Sequence, residues 1–273
     1  MKPFVKWLGG KTQLLPELKK RMPRSIHTYV EPFVGGGSLF FNLCPTNGVI
    51  NDVNPKLINT YRSLRDHKEE LVRSLSSYER VYNSLPTLEA KQNFYYQTRS
   101  EFNDAGPDTD LTVQDAVRFI FLNKTNYNGL FRVNAAGDYN AAFGWKDRVS
   151  FFDEANISGC SAALQNVEIM NVDFEDVCCG LSEGSFVYLD PPYDATFTSY
   201  QSEGFGKKDH LRLHNLFQRL TERGIYCMLS NSNTDFVRSL YGGFNFDVVS
   251  AKRMVNRDGN GRTGEELIIT NYL

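Results

Sequence analysis

Thr28-Tyr29-Val30-Glu31-Pro32-Phe33-Val34 runs directly into Gly35-Gly36-Gly37-Ser38 and then Leu39-Phe40-Phe41. Branched and aromatic residues favour a strand, three glycines a tight loop, and the apolar run after Ser38 begins a helix. A second strand, Gly48-Val49-Ile50-Asn51-Asp52, follows and ends on an acid. Asn54-Pro55 then opens a helix through about Leu64, with Asn as N-cap and proline at the tolerated first position. Strand, helix, strand and helix in this order predict the opening of a parallel α/β sheet.

Upstream, Lys11 to Met22 is expected to be a helix, with Leu14, Leu15, Leu18 and Met22 at helical spacing and Pro16 in its first turns. Downstream, from about Asp66 to Ser158, helical periodicity takes over: Leu71, Val72, Leu75 and Tyr78, then Phe94 to Phe102, then Val113 to Leu122. A polar link with Gly106-Pro107 interrupts it. After the third helix, Asn123 to Asn134 is basic and aromatic, and Ala135-Ala136-Gly137-Asp138 has hairpin-turn character before Tyr139-Asn140. This region is expected to be a helical insert with a protruding hairpin.

The α/β rhythm resumes after Gly159. Strands are expected at Val167–Asn171, Phe186–Asp190, Ile225–Ser230, Phe244–Val249 and Leu267–Tyr272, with helices over Lys208–Arg223 and Thr234–Leu240. An Arg- and Gly-rich polar loop joins the last two strands. Seven strands interleaved with helices predict a doubly wound, mostly parallel seven-stranded sheet.

The strand Phe186-Val187-Tyr188-Leu189 meets Asp190-Pro191-Pro192-Tyr193. Prolines cannot continue a ladder, so the strand ends there. It presents a carboxylate, carbonyl oxygens and an aromatic ring at the sheet edge where open α/β folds bind ligands. Asp52 lies seventeen residues after Gly35, at the end of the second strand. An acid so placed suits ribose hydroxyls, while the glycines admit a nucleoside close to the backbone. Asp190, a proline carbonyl and the Tyr193 face suit a planar group with an exocyclic amine: two acceptors for two N–H groups, and a ring to stack on. Such an amine is a poor nucleophile until both hydrogens are held and its nitrogen turns tetrahedral, and its natural electrophile is an activated methyl.

Other chemistries fit less well. Gly10-Lys11-Thr12 ends like a phosphate loop, but Val5 stands where that motif needs glycine. His210 and His214 share a helical spacing without an intervening acid or third ligand, and are read as a solvated helix face. No G-x-S-x-G elbow occurs. Five cysteines without a C-x-x-C fit a reducing cytoplasm and neither a disulfide framework nor a zinc site. No run approaches the ~20 apolar residues of a membrane helix, and Met1 to Trp7 does not read as a secretory signal.

At 273 residues the chain can bury a sizeable core, and 41% hydrophobic with 23% charged residues is ordinary for a globular protein. The net charge of −2 does not advertise a polyanion partner. Its distribution is uneven, however: residues 1–24 hold Lys2, Lys6, Lys11, Lys19, Lys20, Arg21 and Arg24 against Glu17, while 149–206 has acids and no Lys or Arg.

These motifs, in this order, resemble the Dam-type S-adenosylmethionine-dependent DNA adenine N6-methyltransferases. The likeness runs essentially end to end. It rests on Phe4-Val5-Lys6-Trp7-Leu8-Gly9-Gly10-Lys11, Glu31 to Ser38, Asn51-Asp52-Val53-Asn54, Tyr127-Asn128-Gly129-Leu130-Phe131-Arg132, Asp190 to Tyr193, and Leu229-Ser230-Asn231-Ser232. The resemblance implies a Rossmann-like methyltransferase sheet, with residues 1–62 and 159–273 as catalytic domain and 63–158 as target-recognition domain. S-adenosylmethionine would be the methyl donor and double-stranded DNA the partner, with no metal and no membrane, and the chain a cytoplasmic monomer.

Trp7, Lys11, Phe33, Gly35, Gly36, Gly37, Ser38, Asp52, Asp173, Phe174 and Asp190 would hold the cofactor. Asp190, Pro191, Pro192 and Tyr193 would hold the flipped base, beneath a flap formed by 194–207. Lys6, Tyr127, Asn128, Leu130 and Arg132 would read DNA, with Tyr127 as wedge, Lys6 on the outer guanine, and GATC as target. Ala142 and Trp145 depart from the family's usual Pro-aromatic-Gly-Arg segment.

A cytosine-C5 enzyme would need a Pro-Cys nucleophile, and only Cys44-Pro45 is present. RNA-base or cytosine-N4 enzymes share acid-Pro-Pro-aromatic motifs, but the helical insert with its hairpin favours duplex DNA. A non-catalytic binder on a decayed scaffold conflicts with the intact cofactor and amine motifs.

Overall fold

The computed structural model describes residues 1–105, 110–193, 205–252 and 263–273. The expected Gly106-Pro107 link, most of the expected flap at 194–207 and most of the Arg- and Gly-rich loop fall outside the described residues.

Seven strands form one sheet: β1 (Tyr29–Glu31), β2 (Gly48–Asn51), β3 (Val167–Met170), β4 (Phe186–Leu189), β5 (Tyr226–Ser232), β6 (Asn245–Lys252) and β7 (Thr263–Thr270). Their order is β3-β2-β1-β4-β5-β7-β6. β1 pairs parallel with β2 and β4, and β4 with β5, while β7 runs antiparallel between β5 and β6. Strand order reverses between β1 and β4, so the topological switch point lies at their carboxyl ends. All four residues of β4 are buried, as a central parallel strand requires.

The helices are α1 (Leu15–Lys20), α2 (Ser38–Leu43), α3 (Pro55–Asp66), α4 (Lys68–Ser84), α5 (Leu88–Asp104), α6 (Val113–Thr125), α7 (Glu154–Leu164), α8 (Phe174–Val177), α9 (Lys207–Glu222) and α10 (Asp235–Leu240). Four differ instructively from the sequence-based expectation. β1 is shorter because Pro32 has no N–H to donate. α1 begins at Leu15 rather than Lys11, since Pro16 fits only the first turn. α7 was not expected: small residues at 159–163 blur its periodicity, although Asp153 caps it by accepting from the Asn156 amide at 2.7 Å. The expected hairpin is an irregular ribbon held by isolated bridges at Asn126–Phe143 and Val133–Tyr139. Its turn is closed by Asn134, whose Oδ1 accepts from the amides of Ala136 and Asp138 at 2.9 Å each.

The chain forms two compact units: the first is Met1–Gly10, Gly35–Thr46 and Asp52–Asn171; the second is Lys11–Val34, Asn47–Asn51 and Val172–Leu273. The first is mainly helical, with an aromatic interior in which Phe121 packs against Tyr78, Tyr82, Phe94 and Phe151. The second carries every strand except β3.

Candidate active site

In the second unit, β4 delivers Asp190 to the switch point. Lys11, almost fully buried, places its Nζ 2.8 Å from Asp190 Oδ1. The same ammonium lies 4.6 Å from the centroid of the Tyr193 ring, a cation–π distance. The Tyr193 hydroxyl donates to Glu266 Oε2 on β7 at 2.6 Å. Behind this group, the hydroxyls of Tyr188 and Ser230 are 2.7 Å apart. Burial pushes the Asp190 carboxyl up to about 6; Lys11 opposes the shift and Glu266 adds to it. Burial, with Asp190 and Glu266 alongside, raises the Tyr193 phenol well above its ordinary value, so it stays neutral. The resemblance assigns Lys11 to the cofactor; here it is bound to Asp190.

Asn51, at the end of β2, ties neighbouring loops together. Its Nδ2 donates to the carbonyls of Pro32 and Val172, each at 3.0 Å, and its Oδ1 accepts from the Val172 amide at 2.9 Å. Phe33 packs on Phe174 with centroids 5.3 Å apart, and Phe205 closes edge-on at 5.7 Å. That spacing leaves no slot for a third ring between Phe33 and Phe174. Asp173 caps α8 through Oδ1, which takes the Glu175 amide at 3.0 Å and Arg212 at 2.8 Å. The Arg212 guanidinium lies 4.8 Å from the Phe174 ring centroid and also reaches Glu175 and Asp209. Sequence reasoning missed Arg212 and Glu266, because helix and strand periodicity carry no sign of which loop a distant charge will meet.

In the first unit, Asp52 accepts from the Gly35 amide through Oδ2 and from the Asn54 amide through Oδ1, each at 3.0 Å. Burial pushes its carboxyl up to about 6, against those two amides. A carboxylate has about four acceptor sites, so two bonds leave room for hydroxyl donors. Gly35 and Gly37 have φ of 46° and 69°. A Cβ on Gly35 would fall 2.6 Å from the Trp7 ring, and one on Gly37 2.9 Å from the Tyr61 hydroxyl. The glycines therefore already serve internal packing: Trp7 lies against the loop, and Tyr61 donates to the Gly35 carbonyl at 2.9 Å.

The ribbon also belongs to this unit. Trp7 stacks on Phe131, with centroids 5.7 Å apart. Asn123 brackets Lys6, accepting from its amide at 2.7 Å and donating to its carbonyl at 2.8 Å. The aliphatic stem of Lys6 crosses Gly129, where a Cβ would fall 2.6 Å away. Tyr127 is 60% exposed, and Asn128 and Arg132 are exposed too. Arg132 Nε donates to Asn140 Oδ1 at 2.7 Å, which aims the guanidinium. Leu130 is half-buried, its carbonyl taken by Asn126 Nδ2 at 2.7 Å.

His210 corrects the sequence reading. It is buried, edge-on to Phe205 and Phe236 at 4.9 and 5.9 Å, because α9 turns this residue inward; His214 packs edge-on to Tyr241. Among the described residues no group of three or more His, Cys, Asp or Glu could hold a metal ion, and no helix is long and apolar enough to cross a membrane.

Sheet order and helical insert define a Rossmann-like α/β fold. Residues 7–255 match the model of the D12 class N6 adenine-specific DNA methyltransferases, and the chain belongs to that family. It is 41% identical to the type II methyltransferase M.MjaIII of Methanocaldococcus jannaschii, covering 100% of this chain and 99% of that protein. It is 37% identical to the type II methyltransferase M1.LlaDCHI of Lactococcus lactis subsp. cremoris, covering 100% and 96%. A DNA adenine methylase of Escherichia coli K12 is 31% identical over 98% of this chain and 94% of its own length. The chain is thus a site-specific, adenine-specific DNA methyltransferase that uses S-adenosylmethionine and acts on double-stranded DNA.

Proposed function

We propose that the enzyme flips the adenine of a GATC site out of the duplex and methylates N6 directly, with 63–158 delivering the DNA and 1–62 and 159–273 carrying the chemistry. The observation that supports the amine-holding role is the Lys11 ammonium on Asp190 and Tyr193, at 2.8 and 4.6 Å. A carboxylate and a ring face that together hold an N–H-bearing cation suit an amine that becomes cationic as it reacts.

The residues present fit S-adenosylmethionine. Asp52 retains acceptor capacity for ribose hydroxyls beside the Gly35, Gly36, Gly37 and Ser38 loop. Asp173 Oδ2 is left to accept from an adenine amine, since Arg212 and the Glu175 amide both use Oδ1. Phe33 and Phe174 offer the outer face of their tilted pair, and the family resemblance adds Trp7 and Lys11. Bound there, the cofactor supplies an electrophilic methyl group on a sulfonium.

Asp190 and a proline carbonyl from Pro191 or Pro192 accept the two N6 hydrogens. With both hydrogens held, the nitrogen lone pair leaves conjugation and would be free to take the methyl group that the cofactor supplies when bound, with its sulfur as the leaving group. The carboxylate and the Tyr193 face then stabilise positive charge on N6 until a proton leaves. Tyr127 fills the opened stack, and Lys6, Asn128, Leu130 and Arg132 read the groove, Arg132 by a bidentate bond to guanine.

Mapping modified bases on plasmid DNA treated with the enzyme tests this. N6-methyladenine confined to GATC is expected. A different motif would remove GATC, and a methylated cytosine would remove the adenine mechanism.

A further inference from the structure

We propose that Lys146 and Lys124 form a site for one backbone phosphate of the DNA at the root of the ribbon, an electrostatic anchor beside Lys6 but distinct from the base readers. Three segments meet there. Lys124 lies in the last turn of α6, and Lys146 donates from Nζ to the Lys124 carbonyl. Asn123, one residue earlier, brackets the backbone of Lys6.

The segment carrying Lys146 is fixed from behind. The Tyr82 hydroxyl donates to the Lys146 carbonyl. Asn83 exchanges two hydrogen bonds with Val149, at 3.0 and 3.1 Å. Lys91 takes the neighbouring Asp147 carboxylate at 2.6 Å. The nearest acid in sequence is therefore committed elsewhere. Trp145 has φ 55°, so a left-handed residue turns the chain just before Lys146.

No carboxylate pairs with Lys6, Lys124 or Lys146 among the described residues. Burial pushes the Lys146 ammonium down to about 8, and the charges of Lys6 and Lys124 push it the same way. Lys124 is lowered too, by burial and then by Lys6. Half-buried like charges held together without a counter-ion are unfavourable, and a bound anion relieves both repulsion and desolvation. In an enzyme that binds duplex DNA, a phosphodiester supplies that anion and releases counter-ions as it binds. The inference rests on DNA binding by this chain and not on which sequence it reads.

The test compares wild type with Lys146→Gln and Lys146→Arg, binding a duplex the enzyme methylates and an unrelated duplex across salt concentrations. Lys146→Gln should weaken both about tenfold, a charge-assisted bond lost, and lower the slope of log Kd against log salt by about 0.9. Wild type should take up about half a proton on binding at pH 8, read as a buffer-dependent binding enthalpy, because phosphate holds Lys146 charged. Lys146→Arg should keep affinity and slope and lose the proton uptake. An unchanged slope in folded Lys146→Gln protein, or equal proton uptake in all three proteins, would overturn the assignment. Should the Gln variant not fold, proton uptake in Lys146→Arg decides alone. Wild-type protein that methylates no GATC site would remove the specificity reading and leave the salt comparison intact.

Discussion

Asp190, Lys11, Tyr193 and Glu266 are joined by contacts of 2.8, 4.6 and 2.6 Å, and the first two are a largely buried ion pair. Tyr127, Asn128, Arg132 and Trp145 stand exposed on a ribbon with two isolated bridges. The first arrangement suits chemistry: groups fixed before the substrate arrives cost little reorganisation during reaction. The second suits reading, because side chains meant for a groove must stay exposed until DNA comes, and Arg132 does so while Asn140 orients it. Their backbone is nonetheless fixed, by the Asn126 and Asn134 side chains and scattered backbone bonds rather than by a regular ladder. Rigidity therefore has two sources here, burial in one region and side-chain-to-backbone bonds in the other.

The sharpest way to break this contrast is to remove the carboxylate. Asp190→Ala should lower methyl transfer by at least about 10³-fold, the size expected for a lost transition-state partner. DNA affinity should stay within about threefold. Near-normal turnover, measured with labelled S-adenosylmethionine, would end the role assigned to Asp190.

Acid comes next. With its carboxyl near 6, Asp190 should lose its acceptor form below that pH, and kcat/KM should fall about tenfold per unit. Lys11→Gln removes the charge that opposes the shift, so the acid limb should move to higher pH. A limb that stays in place would uncouple Lys11 from the centre. Stability runs the other way. Asp190 and Asp52 both ionise later in the folded chain than in the unfolded one, so the folded state holds more protons between about pH 4 and 6. Stability is lost as pH rises through that window.

On the reading side the effects shrink. Arg132→Ala should cost about 1–3 kcal/mol of discrimination at one base pair and less on unrelated DNA. An unchanged methylation motif would remove Arg132 from the readers. The smallest effect is at Trp145. Its left-handed backbone costs about 1 kcal/mol, and its ring contact with Phe143, at 5.6 Å, contributes about as much. Trp145→Gly should therefore shift the thermal midpoint little. Unaltered stability with weakened DNA binding would put the indole on the DNA.

The sequence was most legible where a residue's role is local. Pro191 and Pro192 end β4 because they lack N–H groups, Asn54 caps α3, and the opening strand-loop-helix-strand pattern follows from side-chain shape. The family motifs extended that reading to cofactor and partner. α7 escapes the periodic pattern because Cys160, Ser161 and Ala163 among its buried positions are small, and the pattern makes α1 too long because it does not reveal where proline forbids a helix to start.

The glycines show most clearly where sequence stops. Gly35 to Gly37 announce a backbone that something must approach, and the sequence leaves that something unnamed. In the folded chain Trp7 and Tyr61 occupy the approach, one distant along the chain on each side. The same holds for Lys11 on Asp190, Glu266 on Tyr193, Arg212 on Asp173 and Lys146 beside Lys124. Charge and hydrogen-bonding type are properties of a residue, and the sequence determines them. Which charges meet, and whether water screens them, depends on how distant segments pack, and only the tertiary structure decides that.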